Sequence, residues 1–389
     1  MEANRIALLA ATLPLLLFGI GGDYAQPDPL HFGVLIAGAA GFAGALGRRR
    51  WAGPLVIAAL LVVGFLARAS AVDFPGSDVL PATREAVDVL AGGGDPYAHV
   101  YRSTVPPGAV FAYPPGELAF YSLLHLTGVP ILRAEHLTGM LGLLAITFLA
   151  PLTGEGFAAL AIGVLANAGD LVQRTGDGSN DTSATLLVLV ALALLAWALA
   201  TRGRTARVLW FASAIGFGWS IAFKEYALPL VLFVALFLWR SQGRRARGWI
   251  ATAAGTVALF VVPFFVWNPA GFIANVGGAY LAHPSAYGRN LWRDAVGSLP
   301  PLAAQLDPII PFVTPLAVLA VAIVLWRWPA RTLGGAVLQG CAAVAALFVF
   351  ARWTTSVYWV FLAPAVAAGL AVAIGAAPPL GERERLRPE

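Results

Sequence analysis

The sequence predicts an all-α polytopic membrane protein, a bundle of about twelve spanning helices with short interfacial helices on its outer face. Three observations predict it. Hydrophobic residues make up 59% of the 389-residue chain and charged residues only 12%, against roughly 25% charged in soluble domains. Apolar runs of roughly 16 to 20 residues recur along its length, close to what a bilayer-crossing helix needs. Arginines gather in the short connectors between those runs, the pattern that sets orientation across a membrane. The net charge of +5 needs no nucleic-acid partner, and the single cysteine, Cys341, lies inside an apolar run, which excludes a disulfide framework and a thiolate metal site.

Taken in order, spans are expected at 6–22, 31–46 and 54–72. The first lacks a strongly basic start and a small-x-small cleavage site, so it is expected to be a retained helix rather than a signal peptide. Arg48, Arg49 and Arg50 put the following connector in the cytoplasm and residues 73–111 outside. Apolar stretches follow at 115–126, 135–151, 157–168, 183–200, 207–223, 226–239, 249–267, 312–326, 333–350 and 357–375. The basic connectors 201–207, 240–247 and 327–331, and the tail ERERLR, should all be cytoplasmic. A full crossing at 115–126 would put each of them on the wrong side. That stretch, about a dozen residues long, is therefore expected to dip into the outer face and return. The result is one transmembrane unit over 1–389: two leading helices within 1–50, then a core over 54–389, multi-pass in the cytoplasmic (inner) membrane with both termini inside.

Most acids then fall outside, in three segments large enough to build a site: 73–134, 169–183 and 268–311. No Walker A, HExxH or GxSxG pattern is present. In the first segment Pro81 and Gly92 bracket a short helix. Asp78 lies just before it, placed either to cap that helix or to act as a general base at the lipid boundary. Asp73 either closes the preceding span or is the base instead. GGGDPY permits a tight reversal at Asp95-Pro96. Tyr97, Tyr101, Phe111 and Tyr113 form an aromatic belt or a stacking platform for a pyranose or prenyl chain.

The order of a span, an outer Asp, a short helix ending in GGGDPY, then FAYPP and a half-inserted helix resembles the first extracytoplasmic loop of GT-C glycosyltransferases. It is most similar to the actinobacterial polyprenyl-phosphate-mannose-dependent α-mannosyltransferases. The family pattern falls on Ser77, Asp78, Ala86, Leu90, Gly93, Asp95, Pro96 and Tyr97, then on Tyr113, Pro114 and Pro115. The resemblance implies that Asp78 is the catalytic residue. AFKEYALPLVLF (222–233) resembles the family's outer-face lysine helix, and PFFVWNP (263–269) its junction into a long outer loop that here carries Asn290. The departure is at 169–187, where a loop bearing Asp170, Asp177 and Asp181 replaces the family's shorter turn. The likeness runs from about Pro54 onward and leaves the two leading helices outside it.

Lys224 is the one lysine in the chain. An ammonium at that depth needs a partner: Glu225 or a carboxylate across the bundle on one reading, the phosphate of a lipid donor on the other. Arg352 is a second phosphate candidate, Arg289 and Arg293 weaker ones. Tyr97, Tyr113, Asp95, His283 and Asn290 are candidates for sugar or acceptor contacts. The expected reaction moves a sugar, mannose, from polyprenyl phosphate to a hydroxyl of a cell-envelope glycolipid or glycan at the outer face, with inversion. A lipid phosphate is a competent leaving group, so no cofactor is required; the Asp170, Asp177 and Asp181 loop is a place for a divalent cation, with a polar turn as its plainer reading. The alternatives are a transporter or lipid flippase, which should show paired broken helices in repeated halves, and a non-catalytic envelope-assembly subunit on the same scaffold.

Overall fold

The computed structural model describes residues 2–20, 29–74, 76–105, 107–278, 305, 309–351, 354 and 357–375. The chain opens with Glu2–Ile20 (α1), Pro29–Leu46 (α2) and Ala52–Ala69 (α3). Two short helices follow, Val79–Ala91 (α4) and Pro115–Leu126 (α5). Then come Ala134–Thr147 (α6), which short helical turns extend to a span over Ile131–Thr153, and Glu155–Asn167 (α7). The centre of the chain holds Asp181–Ala200 (α8), Gly203–Phe223 (α9), Leu228–Gln242 (α10) and Arg244–Trp267 (α11). Ile310–Arg327 (α12), Leu333–Phe350 (α13) and Tyr358–Gly375 (α14) close the described chain. No strand occurs among the described residues.

Each of the twelve expected spans is occupied by a helix, but length separates them. Among the described residues nine helices are long and apolar enough to cross a membrane, ten if α7 and the short helix after it form one span broken by 64°. The protein is thus a multi-pass membrane protein. The shortfall from twelve has local causes. After α7 the backbone at Ala168 turns extended, and the next helical turns leave at an angle. Helix α10 begins late because Lys224 is extended and a 3-10 turn over Glu225–Ala227 precedes it. Its 15 residues reach about 22 Å, short of a hydrocarbon core of about 30 Å.

Helix α8 is the hub. Of its apolar window 72% is buried, against 17% for α11, so α8 is packed all round while α11 turns most of its surface outward. α8 packs against α6, α9 and α14, and the leading helix α1 packs on α2, α3 and α7. Helix α5 has 12 residues, about 18 Å, too short to cross, as its place in the charge pattern predicts. It packs against α4, α9 and α11. Its contact with α9 depends on Gly116, where an added Cβ would lie 2.5 Å from the backbone of Ala222. The Trp219 indole N–H donates to the Gly116 carbonyl at 2.8 Å and locks the pair. Lys224 ends α9 two residues beyond that contact.

Candidate active site

The polar segments expected on the outer side meet at one end of the bundle. Residues 74–80 lie along 176–178 through three backbone hydrogen bonds: Phe74 N–H to Gly176 O (2.8 Å), Gly76 N–H to Asp177 O (3.2 Å) and Leu80 N–H to Gly178 O (2.8 Å). Gly178 has φ +81°, and a Cβ there would sit 2.5 Å from Ser77 O; glycine alone fits both demands. The loop that departs from the family pattern is therefore the surface against which Asp78 is set.

Asp95 ties the first segment to the third. Its carboxylate accepts from the Tyr97 N–H at 2.8 Å and from Asn268 Nδ2 at 2.7 Å. Asn275 Nδ2 donates to Tyr97 O at 2.8 Å. The Tyr97 ring is 2% exposed, packed edge-on against Phe264 and Phe272, and its hydroxyl donates to Tyr113 O at 2.7 Å. Tyr101 and Phe111 are buried beside it. These aromatic rings form an internal core, so Tyr97 holds Tyr113 in place and presents no open face of its own.

Asp78 stands at the N-cap position of α4 but makes no side-chain cap. Its Oδ2 accepts instead from the Val105 N–H at 2.7 Å, drawing the 99–105 segment back over α4. Farther along, the Glu85 carboxylate holds the same segment through the Ser103 hydroxyl (2.6 Å), His99 (2.9 Å) and the Arg102 and Ser103 amides. Partial burial opposes ionisation of Glu85, but these hydrogen bonds outweigh it and draw its pKa down to about 2. Asp73 is differently placed. It is bonded to His136 Nε2 at 2.8 Å and Arg133 Nη2 at 3.1 Å, and the His136 hydrogen bond with the Arg133 charge lowers its pKa despite some burial. A carboxylate paired with an arginine and hydrogen-bonded to an imidazole is committed to structural partners, which makes Asp73 a poorer proton acceptor.

Lys224 is 3% exposed. Its Nζ lies 3.9 Å from Asp181 Oδ1, so the partner is a carboxylate across the bundle and not the exposed Glu225. The ammonium sits over three rings, Tyr113 at 4.9 Å, Tyr358 at 5.5 Å and Tyr226 at 5.6 Å from their centroids. The Tyr226 hydroxyl donates to Asp181 Oδ1. Tyr113 is the hinge of the arrangement. Its hydroxyl pKa is raised first by burial and then by Tyr358, Glu117, Asp78 and Asp181.

Glu117, on the first turn of α5, also faces Lys224, Thr83 and Asn180. The Thr83 hydroxyl lies 2.5 Å from its Oε1. Nothing above singles out Glu117, yet a lone acid in the apolar run PPGELAF was a signal available in the sequence. Asn180 was hidden by its loop-like composition, and Asp181, expected as part of a cation-binding or polar turn, is instead the carboxylate beside Lys224. Asp177 is committed to Arg174 at 3.0 Å and to the Ser179 amide, and among the described residues no three His, Cys, Asp or Glu side chains gather as metal ligands. Arg352, Arg289, Arg293, His283 and Asn290 lie outside the described residues.

No protein-family profile matches the chain, and no curated protein matches it in sequence. Solved structures do match in shape. ArnT from Cupriavidus metallidurans bound to undecaprenyl phosphate aligns with TM-score 0.50 and 18% identity over 85% of this chain and 61% of that one. The fold is of the GT-C type. Weaker likenesses are to the oligosaccharyltransferase of Archaeoglobus fulgidus. Its complex with zinc and sulfate gives TM-score 0.46 and 15% identity over 81% of this chain and 48% of that one. The same organism's AglB with an inhibitory peptide and a dolichol-phosphate gives 0.45 and 13%, over 81% and 50%. This GT-C bundle thus spans less than two thirds of the length of each.

Proposed function

We propose that this GT-C protein is a glycosyltransferase that takes a sugar, mannose, from a polyprenyl phosphate and places it on a hydroxyl of a cell-envelope glycolipid or glycan. The reaction runs at the extracytoplasmic face of the inner membrane. The observation that carries this reading is Lys224: a buried ammonium walled by three tyrosines, with one carboxylate at the limit of pairing distance. A buried cation with so loose a partner suits an anion that arrives. That the similar ArnT structure holds undecaprenyl phosphate supports a lipid phosphate as that anion.

Asp78 accepts the proton of the acceptor hydroxyl, which attacks the anomeric carbon opposite the phosphate, so a β-linked donor gives an α-product. Lys224 takes up the charge that develops on the leaving phosphate, with Arg352, Arg289 and Arg293 as further contacts. Asp181 and Tyr226 hold the ammonium in place. Two experiments test the reading. Purified protein in vesicles, given radiolabelled polyprenyl-phosphate mannose and an envelope lipid extract, should form a labelled glycolipid. Mass spectrometry of a deletion strain should show one envelope glycoconjugate shortened by a single hexose. A protein inert toward every lipid-phosphate sugar would contradict it.

A further inference from the structure

Beside Lys224 the fold leaves several polar atoms buried and without a hydrogen-bond partner among the described residues. They are Glu117 Oε2, both Asn180 side-chain atoms and Ser179 Oγ. Glu117 and Asn180 are 0% exposed and Ser179 is 1% exposed. Buried polar groups in native proteins are almost always satisfied by protein, water or ligand, and each one left unpaired costs about 1–3 kcal/mol. Ser179 and Asn180 are consecutive at the end of the 169–183 loop, and Asn180 precedes Asp181, whose carboxylate lies 3.9 Å from the Lys224 ammonium. Glu117, on the first turn of α5, is within electrostatic reach of both Asn180 and Lys224.

The donor and acceptor types decide what fits. A phosphate only accepts hydrogen bonds and would leave the Asn180 carbonyl oxygen without a donor. A metal ion would meet the Asn180 N–H groups and the Lys224 charge. Neutral hydroxyls, each giving and accepting one hydrogen bond, match a carboxyl, an amide and a hydroxyl together.

We infer that Glu117, Asn180 and Ser179 form the subsite that reads the ring hydroxyls of the donor sugar. This rests on the function proposed above, because it is the anomeric bond to the phosphate that places the donor's ring, rather than the acceptor's, next to Lys224. Glu117 and Asn180 are then specificity-determining residues. A site built to bond a hydroxyl rejects an analogue lacking it far more strongly than an apolar pocket could, because its own buried groups are left unpaired.

The test compares kcat/KM for polyprenyl-phosphate mannose with that for its 2-, 3-, 4- and 6-deoxy analogues, using full-length protein in vesicles. The wild type should prefer the parent over at least one analogue by about a hundredfold or more. In Asn180→Ala, Ser179→Ala and Glu117→Gln that ratio should fall to within about threefold at the affected position. Because the ratio is taken on one preparation, it does not depend on the fraction folded, and Ser179→Ala serves if the buried acid or amide cannot be changed. Transfer with the wild-type ratio preserved in all three variants, or a folded variant that loses all donors alike, overturns the subsite. A wild type that uses no lipid-phosphate sugar removes the glycosyltransferase reading and the subsite with it.

Discussion

At the scale of single residues, the site turns on how three carboxylates with similar sequence credentials are held. Asp73 is tied to Arg133 and His136, Asp78 to one backbone amide, and Asp181 to Lys224 and Tyr226. Asp73→Asn should therefore keep kcat within about threefold of wild type while lowering the melting temperature slightly, since an exposed pair is worth little. Lys224→Met should cost about a hundredfold in kcat, the usual loss when one charge-stabilising donor is removed. It should also destabilise the protein, because Asp181 is left buried and unpaired. Adding Asp181→Asn to Lys224→Met should restore the melting temperature without restoring transfer. Recovery of activity in that double variant would show that Lys224 only neutralises Asp181.

At the scale of elements, the 169–183 loop and the 99–105 segment position Asp78 from two sides. Gly178→Ala places a Cβ against Ser77 O at a positive φ and should cost roughly 1–2 kcal/mol. Transfer should fall with it. Glu85 predicts an acid limit for the opposite side. Its folded pKa of about 2 lies below its ordinary 4.5, so its contribution is complete above pH 4.5 and fades as pH falls toward 2. Pepsin should cut the 99–105 segment progressively faster across that window, and a Glu85→Gln variant should be cut at a rate that varies far less with pH.

Nine or ten of the twelve expected spans, by the described residues, and the short α5 were legible because apolar length is a one-dimensional signal. The α4 boundaries were nearly so, with Gly92 at the expected end and the start two residues ahead of Pro81. What the sequence hid was partnership. The lysine's carboxylate lies more than forty residues away in a loop that reads as a polar turn. The aromatic frame of Tyr97 and Tyr101 reads as a membrane belt because a ring packed inside a loop and one at the lipid surface have the same composition.

At the scale of the whole molecule, the polar segments converge on one end of a bundle whose hub, α8, begins at that end with Asp181. On the function proposed above, this end faces the outside of the cell, as the arginine-rich connectors are read. With Cys341 replaced by serine, Val105→Cys should react with a membrane-impermeant maleimide in intact cells. Arg49→Cys should react only after permeabilisation. The reverse pattern would turn the site toward the cytoplasm and remove a lipid-linked donor assembled for the outer face.

The most direct test is single-turnover transfer from radiolabelled polyprenyl-phosphate mannose by Asp78→Asn. This substitution nearly preserves the shape of the side chain and can keep the contact with the Val105 N–H. The expected result is a rate lower by at least about a hundredfold, with the melting temperature and the donor affinity of wild type. A folded Asp78→Asn protein that transfers at the wild-type rate would contradict the assignment of this carboxylate as the base.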